Sequence, residues 1–283
     1  MFDVVSNEVL APDLHRMVVR ASRIAQSRRP GQFVIVRHSE EAERIPLTIA
    51  DADESAGTIT LIIQAVGPST RQIVATNVGE SIRDVAGPLG KATEIAKWGK
   101  VACVGGGVGT AVLFPLAKAL AQAGNEVVAV IGARSARYVI LSEELGHFVS
   151  RVLVVTEDGS LGARGLVTDS LGQLLADDEN RPSAVFAVGP VAMMAAVSEQ
   201  TRPYAIRTVV SLNPIMVDGT GMCGGCRVTV AGQVKFACVD GPEFDGHEVD
   251  FAELASRQNA YNEDKCRLDD VVKELSDRES ADE

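Results

Sequence analysis

A change in the hydrophobic pattern near residue 97 constrains the fold of this chain more than any other feature. Before it, short apolar runs rich in Val and Ile are separated by Gly and Pro: LHRMVVRA, QFVIVRH, GTITLIIQAV and ESIRDVAGP. Such runs predict short strands, and STRQIVATN has the spacing of one short helix among them. Several short strands with a single helix predict a small antiparallel β-barrel.

After the change, apolar strands alternate with helices. The strands are KVACVGGG, NEVVAVIGARS, RVLVVTEDGS, SAVFAVGP and AIRTVVSLN, and TAVLFPLAKALAQAGN reads as a helix that ends at Gly124. This alternation predicts a doubly wound parallel sheet, which binds ligands at the carboxyl ends of its strands. We therefore expect a barrel at residues 1–96, an α/β domain at 97–211, a small cysteine-containing domain at 212–262 and a charged tail at 263–283. The cysteine-containing region shows little periodicity, so we expect something other than a hydrophobic core to hold it.

Charge and cysteine content narrow the function. The net charge of −11 disfavours nucleic acid and anionic membranes as partners, because phosphates would be repelled. The long uncharged run VACVGGGVGTAVLFPLA contains a glycine cluster and Pro115, which favour a buried strand, loop and helix over a membrane span. Five cysteines and no secretion signal after Met1 predict reduced thiols and a cytoplasmic protein.

The first predicted strand of the α/β domain runs into a glycine loop that opens a helix. Such a loop lets the backbone and the helix N–H groups approach a pyrophosphate, although a tight strand-to-helix turn needs glycine in any case. Thr110 stands where a G-x-G-x-x-G fingerprint has its last glycine. The candidate binding residues are Gly105, Gly106, Gly107, Gly109 and Thr110.

Three further loops are predicted at the same edge of the sheet. Arg134 and Ser135, in GARSAR, would hold the 2′-phosphate of NADP or belong to a solvated loop, so the sequence leaves NAD(H) and NADP(H) open. The glycine-rich loop EDGSLGARG contributes Asp158 and Gly159. VGPVAMM contributes Gly189, Pro190 and Met193, of which Met193 is also explained by helix packing. Converging loops favour a dinucleotide site.

Two segments of the barrel have the composition of a second phosphate site. RIPLT supplies Arg44, Pro46, Leu47 and Thr48, and VGPSTR supplies Gly67, Ser69 and Thr70. Arginine and helix amides would neutralise the diphosphate of a flavin. Capping of the short helix by Ser69 or Thr70 explains the second segment equally well.

The order of these motifs, R-x-P-L-T, G-G-G-x-G, GP-x-x-MM and a C-terminal cysteine loop, resembles the ferredoxin–NADP⁺ reductase superfamily. Within it, the chain is most similar to the electron-transfer subunits of dihydroorotate dehydrogenase and to the small subunits of NADH-dependent ferredoxin:NADP⁺ oxidoreductase. The resemblance implies FAD in the barrel, a nicotinamide nucleotide in the α/β domain and a C-terminal [2Fe–2S] cluster.

The chain departs from the superfamily at three places. Relative to the R-x-Y-S pattern, Arg44 stands one position early, with Ile45 in the place of the arginine. Val188 replaces the cysteine that many relatives carry before the Gly-Pro turn, and Asp218 replaces the first cluster cysteine of the dihydroorotate type.

The resemblance implies that Asp218, Cys223, Cys226 and Cys238 are the cluster ligands, one carboxylate with three thiolates. A structural zinc site, unliganded thiols and a redox disulfide between Cys223 and Cys226 are the alternatives. Cys103 and Cys266 are expected to be inert.

The predicted function is therefore that of an electron-transfer oxidoreductase subunit in a heterodimer. The resemblance implies a larger flavin and iron–sulfur subunit as the partner, with ferredoxin binding to that subunit. It also implies electron bifurcation in the assembly, which the sequence itself leaves open. Hydride transfer needs no acid–base residue, so no catalytic residue is predicted. The alternatives are the dihydroorotate dehydrogenase subunit and, in another class, a non-catalytic nucleotide-sensing module with a structural zinc site.

Overall fold

The computed structural model describes residues 1–260, and its N-terminal part is an antiparallel barrel. The strands are β1 (Phe2–Ala11), β2 (Leu14–Arg20), β3 (Phe33–Arg37), β4 (Ile45–Asp53), β5 (Thr58–Gln64), β6 (Ser81–Ile82) and β7 (Asp84–Leu89). Their order is β6-β1-β2-β5-β4-β3-β7. Because only Arg83 separates the two edge strands, the sheet must curl until it is nearly closed. The predicted barrel is confirmed.

The interior of the barrel follows from alternation along its strands. In β2, Leu14, Met17 and Val19 are buried, and in β5 Leu61 and Ile63 are completely inaccessible to solvent. Two helices accompany the sheet, α1 (Ser22–Ser27) and α2 (Pro68–Val74), where the sequence predicted one. Strand β1 was also missed, because most of its side chains are partly or fully exposed and its sequence shows no clear alternation.

The second sheet is the predicted doubly wound one. Its parallel strands are β8 (Lys100–Gly106), β9 (Glu126–Ala133), β10 (Arg151–Thr156), β11 (Ala163–Arg164), β12 (Ala184–Val188) and β13 (Arg207–Ser211). Their order is β11-β10-β9-β8-β12-β13, so the chain reverses direction across the sheet between β8 and β12. Ligands bind such sheets at this switch point.

Four helices cover this sheet: α3 (Gly109–Gln122), α4 (Ser142–Gly146), α5 (Val167–Ala176) and α6 (Val191–Thr201). Two short 3₁₀ turns also occur, at Ala136–Tyr138 after β9 and at Arg202–Tyr204 after α6. Helix α5 was not predicted, although Val167, Leu171, Leu174 and Leu175 bury one face at helical spacing. Among the helices of residues 1–260, none has both the length and the hydropathy of a membrane span.

The C-terminal region packs differently from expectation. It contains a hairpin of β14 (Arg227–Val230) and β15 (Gln233–Phe236), strand β16 (Glu243–Asp245), which adds antiparallel to β13, and α7 (Phe251–Asn259). The sequence suggested that little core holds this region. Instead, its buried side chains belong to one cluster with those of the parallel sheet, such as Val185 and Val210. The whole of the predicted tail at 263–283, with Cys266, lies outside the described residues.

Barrel and parallel sheet are joined by an apolar cluster and by ion pairs. The cluster combines Ala11, Leu14, Ala50 and Ile62 of the barrel with Ala111, Ile140 and Leu141 of the α/β part. Beside it, Lys118 contacts Asp51 at 3.2 Å and Arg16 contacts Glu144 at 2.7 Å.

Candidate functional site

A cavity of about 980 Å³ lies between the barrel and the carboxyl edge of the parallel sheet. We call it the interdomain cavity; this volume is at the upper end of the range for small-molecule and cofactor sites. Of the predicted binding residues, it is lined by Pro46, Leu47, Thr48, Gly106, Gly107, Gly109, Arg134, Gly189, Pro190 and Met193. The structure thus brings together loops from both halves of the chain.

The glycine loop after β8 requires glycine for two different reasons. Gly107 has a φ of +57° and open space around it, so its backbone conformation excludes most side chains. At Gly109 a Cβ would lie 2.3 Å from the carbonyl oxygen of Val188, because the start of α3 approaches the end of β12. Gly105 and Thr110 lie outside the cavity lining; Thr110 is buried beneath the loop.

Met193 connects the two glycine turns at the switch point. Its sulfur would lie 2.5 Å from a Cβ at Gly106 and 2.8 Å from one at Gly189. Both glycines therefore leave room for a side chain that lines the cavity and also packs against the core. Val188, directly before the Gly-Pro turn, also contributes to the lining.

Two consecutive acidic residues after β10, Glu157 and Asp158, lie in different surroundings. Glu157 lines the cavity with Arg134, whereas Asp158 and Gly159 do not. Asp158 accepts hydrogen bonds from the backbone N–H and hydroxyl of Ser160, at 2.9 and 2.6 Å, and these lower the pKa of the Asp158 carboxyl. Ser135 precedes a 3₁₀ turn and lies outside the lining. The sequence signal for Glu157 was its place directly after a strand.

The barrel wall of the cavity differs in part from the prediction. Phe33 from β3 and Gln64 from β5 line it beside the RIPLT residues, whereas Arg44, Gly67, Ser69 and Thr70 do not. Thr70 Oγ1 accepts a hydrogen bond from the N–H of Gly67 at 3.0 Å, and Ser69 donates to Glu43 at 2.6 Å. Helix α2 is thus capped by Thr70.

The cysteine segment, residues 216–246, brings two thiols together. Cys226 and Cys238 are buried with their sulfurs 3.2 Å apart, and Cys223 is exposed on the same loop. Backbone N–H groups point at two of the sulfurs, from Gly225 to Cys223 and from Cys238 to Cys226, each at 3.5 Å. Desolvation raises the pKa of Cys238 to about 12, and the Cys226 thiol adds to that shift.

Asp218 organises the same loop. Its carboxylate accepts backbone hydrogen bonds from Thr220 at 2.9 Å and from Cys223 at 2.8 Å. These bonds, with the one from Thr220 the largest cause, lower the pKa of Asp218 to about 2. Gly219 approaches the barrel so closely that a Cβ would lie 2.6 Å from Leu89.

The donor set of the cysteine segment suits an iron–sulfur cluster. Three free thiols, a carboxylate held ionised and N–H groups directed at sulfur are the features by which proteins bind and tune such clusters. Within residues 1–260, no three His, Cys, Asp or Glu side chains already converge as they would around a single metal ion.

The cysteine segment adjoins the interdomain cavity. Met216 lines the cavity and belongs to the same buried cluster as Cys226 and Cys238. Residues 211–214, at the end of β13, also line the cavity and lead directly into the segment. The cavity and the thiols are therefore neighbours in the fold and in the chain.

An antiparallel barrel, a parallel sheet with its switch point at glycine turns and a cavity between them define the class of ferredoxin reductase-like oxidoreductases. The cytochrome P450 reductase of Amycolatopsis shares this fold, with a TM-score of 0.61 at 21% identity over 72% of this chain and 66% of that one. Residues 213–250 match the iron–sulfur cluster binding domain of dihydroorotate dehydrogenase B.

Relatives of known sequence match nearly the whole chain. A dihydroorotate dehydrogenase B (NAD(+)) electron transfer subunit homolog from Thermotoga maritima is 46% identical over 92% of each chain. The corresponding subunit from Shouchella clausii is 33% identical over 87% of this chain and 96% of its own. The chain belongs to the family of dihydroorotate dehydrogenase B electron-transfer subunits.

A solved structure of an NADH-dependent reduced ferredoxin-NADP oxidoreductase, studied for flavin-based electron bifurcation, is similarly close. It has a TM-score of 0.89 and 43% identity over 96% of this chain and 98% of that one. The predicted resemblance is confirmed, and the chain is an electron-transfer oxidoreductase subunit with an iron–sulfur domain. A zinc-stabilised sensing module is not supported, because the cysteine segment matches a cluster-binding domain.

Proposed function

We propose that this chain passes electrons between a nicotinamide nucleotide, FAD and a [2Fe–2S] cluster, and from the cluster to a larger oxidoreductase subunit. The observation that carries the proposal is the wall that the interdomain cavity shares with the cysteine segment, to which residues 211–214 and Met216 contribute. A two-electron carrier in the cavity and a one-electron carrier in the segment would then be separated by only a few side chains. Such proximity is what electron transfer through a protein requires.

The binding residues divide between the two halves of the cavity. Pro46, Leu47 and Thr48 of β4, with Phe33 behind them, offer FAD an apolar wall with one hydroxyl. On the opposite side, Gly106, Gly107 and Gly109 let a dinucleotide approach the start of α3, and Gly189, Pro190 and Met193 bound its far end. The cofactors supply the hydride and electron chemistry, and the chain binds, orients and shields them.

In this proposal the cluster is held by Asp218, Cys223, Cys226 and Cys238. The glycines of the loop allow the backbone to close around a cluster, and three of them have positive φ: Gly219, Gly221 and Gly224. N–H groups directed at the sulfurs would stabilise added negative charge there and raise the reduction potential.

The partner is a larger flavin and iron–sulfur subunit in a cytoplasmic heterodimer, which receives electrons from this chain and exchanges them with ferredoxin. This follows the solved relative named as a ferredoxin-NADP oxidoreductase, which aligns over 98% of its length. A dihydroorotate dehydrogenase partner is the second candidate, because that activity is in the names of the Thermotoga maritima and Shouchella clausii relatives. The NAD in those names favours NAD(H) as the nucleotide. The free cysteines support the cytoplasmic location.

Anaerobic purification with the co-purifying partner tests the proposal. We expect flavin absorption bands and about two iron and two sulfide per chain, the content of a [2Fe–2S] cluster, and we expect NADH to bleach the flavin. Assays of the complex with ferredoxin and NADP⁺, and separately with dihydroorotate, identify the partner. A flavin-free preparation that contains zinc would refute the proposal.

A further inference from the structure

Helix α7 (Phe251–Asn259) lies beyond the matched cluster-binding domain, residues 213–250, and yet it contacts the cysteine segment. Its side chain Leu254 is buried in the same apolar cluster as Cys226 and Cys238. The helix is therefore fixed by core packing beside two of the candidate cluster ligands.

Two consecutive residues in the last turn of α7 contact the chain at two places. The guanidinium of Arg257 donates to the carbonyl oxygen of Gly225 at 3.5 Å, and Gly225 lies between two of the candidate ligand cysteines. The amide of Gln258 donates to the backbone and side-chain oxygens of Asn213 at 2.9 and 3.2 Å. Because Asn213 lines the interdomain cavity, this turn of the helix connects the cavity wall with the loop of the thiols.

Arg257 places a positive charge in acidic surroundings. Residues 213–250 contain six acidic and two basic residues, and Arg227, the basic residue next to Cys226, is exposed to solvent. Arg257 is half-buried, and no carboxylate of residues 1–260 lies within ion-pair distance of its guanidinium. Water and salt screen a half-buried charge less than an exposed one, so the charge of Arg257 should act most strongly on the loop.

We propose that Arg257 is a positioning residue that raises the reduction potential of the cluster, by holding the Gly225 carbonyl and by placing one positive charge beside the loop. Reduction adds one negative charge at the cysteine segment, and a nearby cation stabilises that charge. Arginine suits this place, because its guanidinium stays charged and is weakly hydrated. The inference rests on the proposed function, since it assumes a cluster in the cysteine segment.

The test is a redox titration of the full chain, purified anaerobically with its cofactors and followed by electron paramagnetic resonance. In Arg257→Gln we expect the ratio of reduced to oxidised cluster at a fixed potential to fall by about tenfold, because one stabilising charge is lost. For a one-electron couple this is a potential lower by about 59 mV. The resonance comes only from molecules that contain the cluster, so a partial loss of cluster does not hide the shift.

Two matched variants make the comparison specific. Arg257→Lys keeps the charge and should leave the ratio within about threefold of the wild type. Arg227→Gln removes an exposed cation and should also change the ratio by less than about threefold, because water and salt screen that charge.

Four results would overturn the inference. They are an unchanged potential in Arg257→Gln, an equal shift in Arg227→Gln, a shift in Arg257→Lys as large as in Arg257→Gln, and complete loss of the cluster in Arg257→Gln. The last of these would give Arg257 a purely structural role.

The wild-type protein separates this inference from the proposed function. If the wild type contains iron and sulfide and its cluster is reduced by NADH, while Arg257→Gln has the same potential, the function stands and the role of Arg257 fails. If the wild type contains neither iron nor sulfide, the proposed function itself fails.

Discussion

At the scale of single residues, we assign two roles to the carboxylate of Asp218. We propose it as a cluster ligand, and in the structure its carboxylate holds the loop by accepting hydrogen bonds from two backbone N–H groups. These roles are compatible, because a carboxylate has two oxygens with about four lone pairs. The same ionised group can hold the loop in shape and offer an oxygen to iron.

Replacement of Asp218 tests both roles. Asp218→Cys should retain the cluster and lower its reduction potential, because a thiolate donates more electron density to iron than a carboxylate does. Asp218→Ala should lower the iron and sulfide content, because loop bonds and ligand are lost together. Redox titration followed by electron paramagnetic resonance measures the first effect, and chemical analysis the second.

The control is Asp240→Asn, which changes a carboxylate of the same segment that accepts from the N–H of Phe236. It should leave spectrum and potential unaltered. A spectrum and a potential in Asp218→Cys that match the wild type would remove Asp218 from the ligand set.

Glu243 is a second residue whose surroundings set its chemistry. It lies on β16 opposite Ser211, and its carboxylate accepts a hydrogen bond from the hydroxyl of Thr93 at 2.7 Å. Desolvation raises the pKa of Glu243 to about 7 from an ordinary 4.5, and the Thr93 hydroxyl opposes that shift. The folded protein therefore binds a proton here that the unfolded chain has released between these pH values.

The stability of the protein should consequently fall as pH rises from about 4.5 to 7 through this group. This shift in the pKa of Glu243 corresponds to a change of roughly 3 kcal/mol at most in the free energy of unfolding. The partial exposure of the side chain reduces that change to about 2 kcal/mol. Glu243→Gln has no carboxylate to titrate here, so its free energy of unfolding should not show this loss. Between pH 4.5 and pH 7 the difference in that free energy should therefore shift by about 2 kcal/mol in favour of the variant. Urea unfolding of the flavin-loaded protein at each pH measures the difference.

Thr93→Val provides the complementary change. Without the hydroxyl that stabilises the ionised carboxylate, the pKa of Glu243 rises further and the pH dependence becomes steeper. Parallel stability curves for the wild type and Glu243→Gln across this range would show that Glu243 does not carry the effect.

At the scale of elements, the sequence was informative where local patterns decide the structure. The five main strands of the parallel sheet and the start of α3 at the glycine loop were predicted, because continuous apolar runs and glycine turns are local signals. Strand β1 was missed, because its pairing with β2, rather than alternation in its own sequence, makes it a strand. The cavity residues Phe33 and Met216 had no signal, since tertiary packing alone brings them there.

Three alanine substitutions in the glycine loop should differ in their cost. Gly109→Ala places a Cβ 2.3 Å from a backbone oxygen, so α3 and β12 must separate, and we expect about 3 kcal/mol of destabilisation with loss of nucleotide binding. Gly107→Ala meets no atoms but strains φ, at about 1–2 kcal/mol. Gly106→Ala places a Cβ 2.5 Å from the sulfur of Met193, a movable side chain, and 3.2 Å from Cδ of Pro190, and it should be milder than Gly109→Ala.

Urea unfolding gives the order of the three costs, and titration with ADP-ribose gives binding. Adding Met193→Ala should restore much of the stability lost in Gly106→Ala but none of that lost in Gly109→Ala. The reverse pattern of rescue would contradict the assignment of Met193 as the contact at Gly106.

At the scale of the whole molecule, the cavity exists only because the barrel and the α/β part are held in one arrangement. Two kinds of contact span their boundary, the apolar cluster around Leu14, Ile62 and Ile140 and the ion pairs of Asp51 and Arg16. The ion pairs are partly exposed, and such pairs typically contribute about 0–1 kcal/mol each. Buried aliphatic side chains contribute more, so the cluster should hold the two parts together more strongly than the ion pairs do.

This difference predicts the outcome of two substitutions at the boundary. Ile140→Ala should reduce the free energy of unfolding by about 2–4 kcal/mol, because it removes buried methyl groups and leaves a void between the two parts. Asp51→Asn, which weakens the contacts with Arg28 and Lys118, should cost under about 1 kcal/mol. Urea unfolding of the flavin-loaded protein compares them, and added salt should reduce only the effect of Asp51→Asn. A larger loss of unfolding free energy in Asp51→Asn than in Ile140→Ala would instead mean that the ion pairs hold the two parts together around the cavity. Nucleotide binding should then weaken as ionic strength rises, even where the nucleotide makes no charged contact.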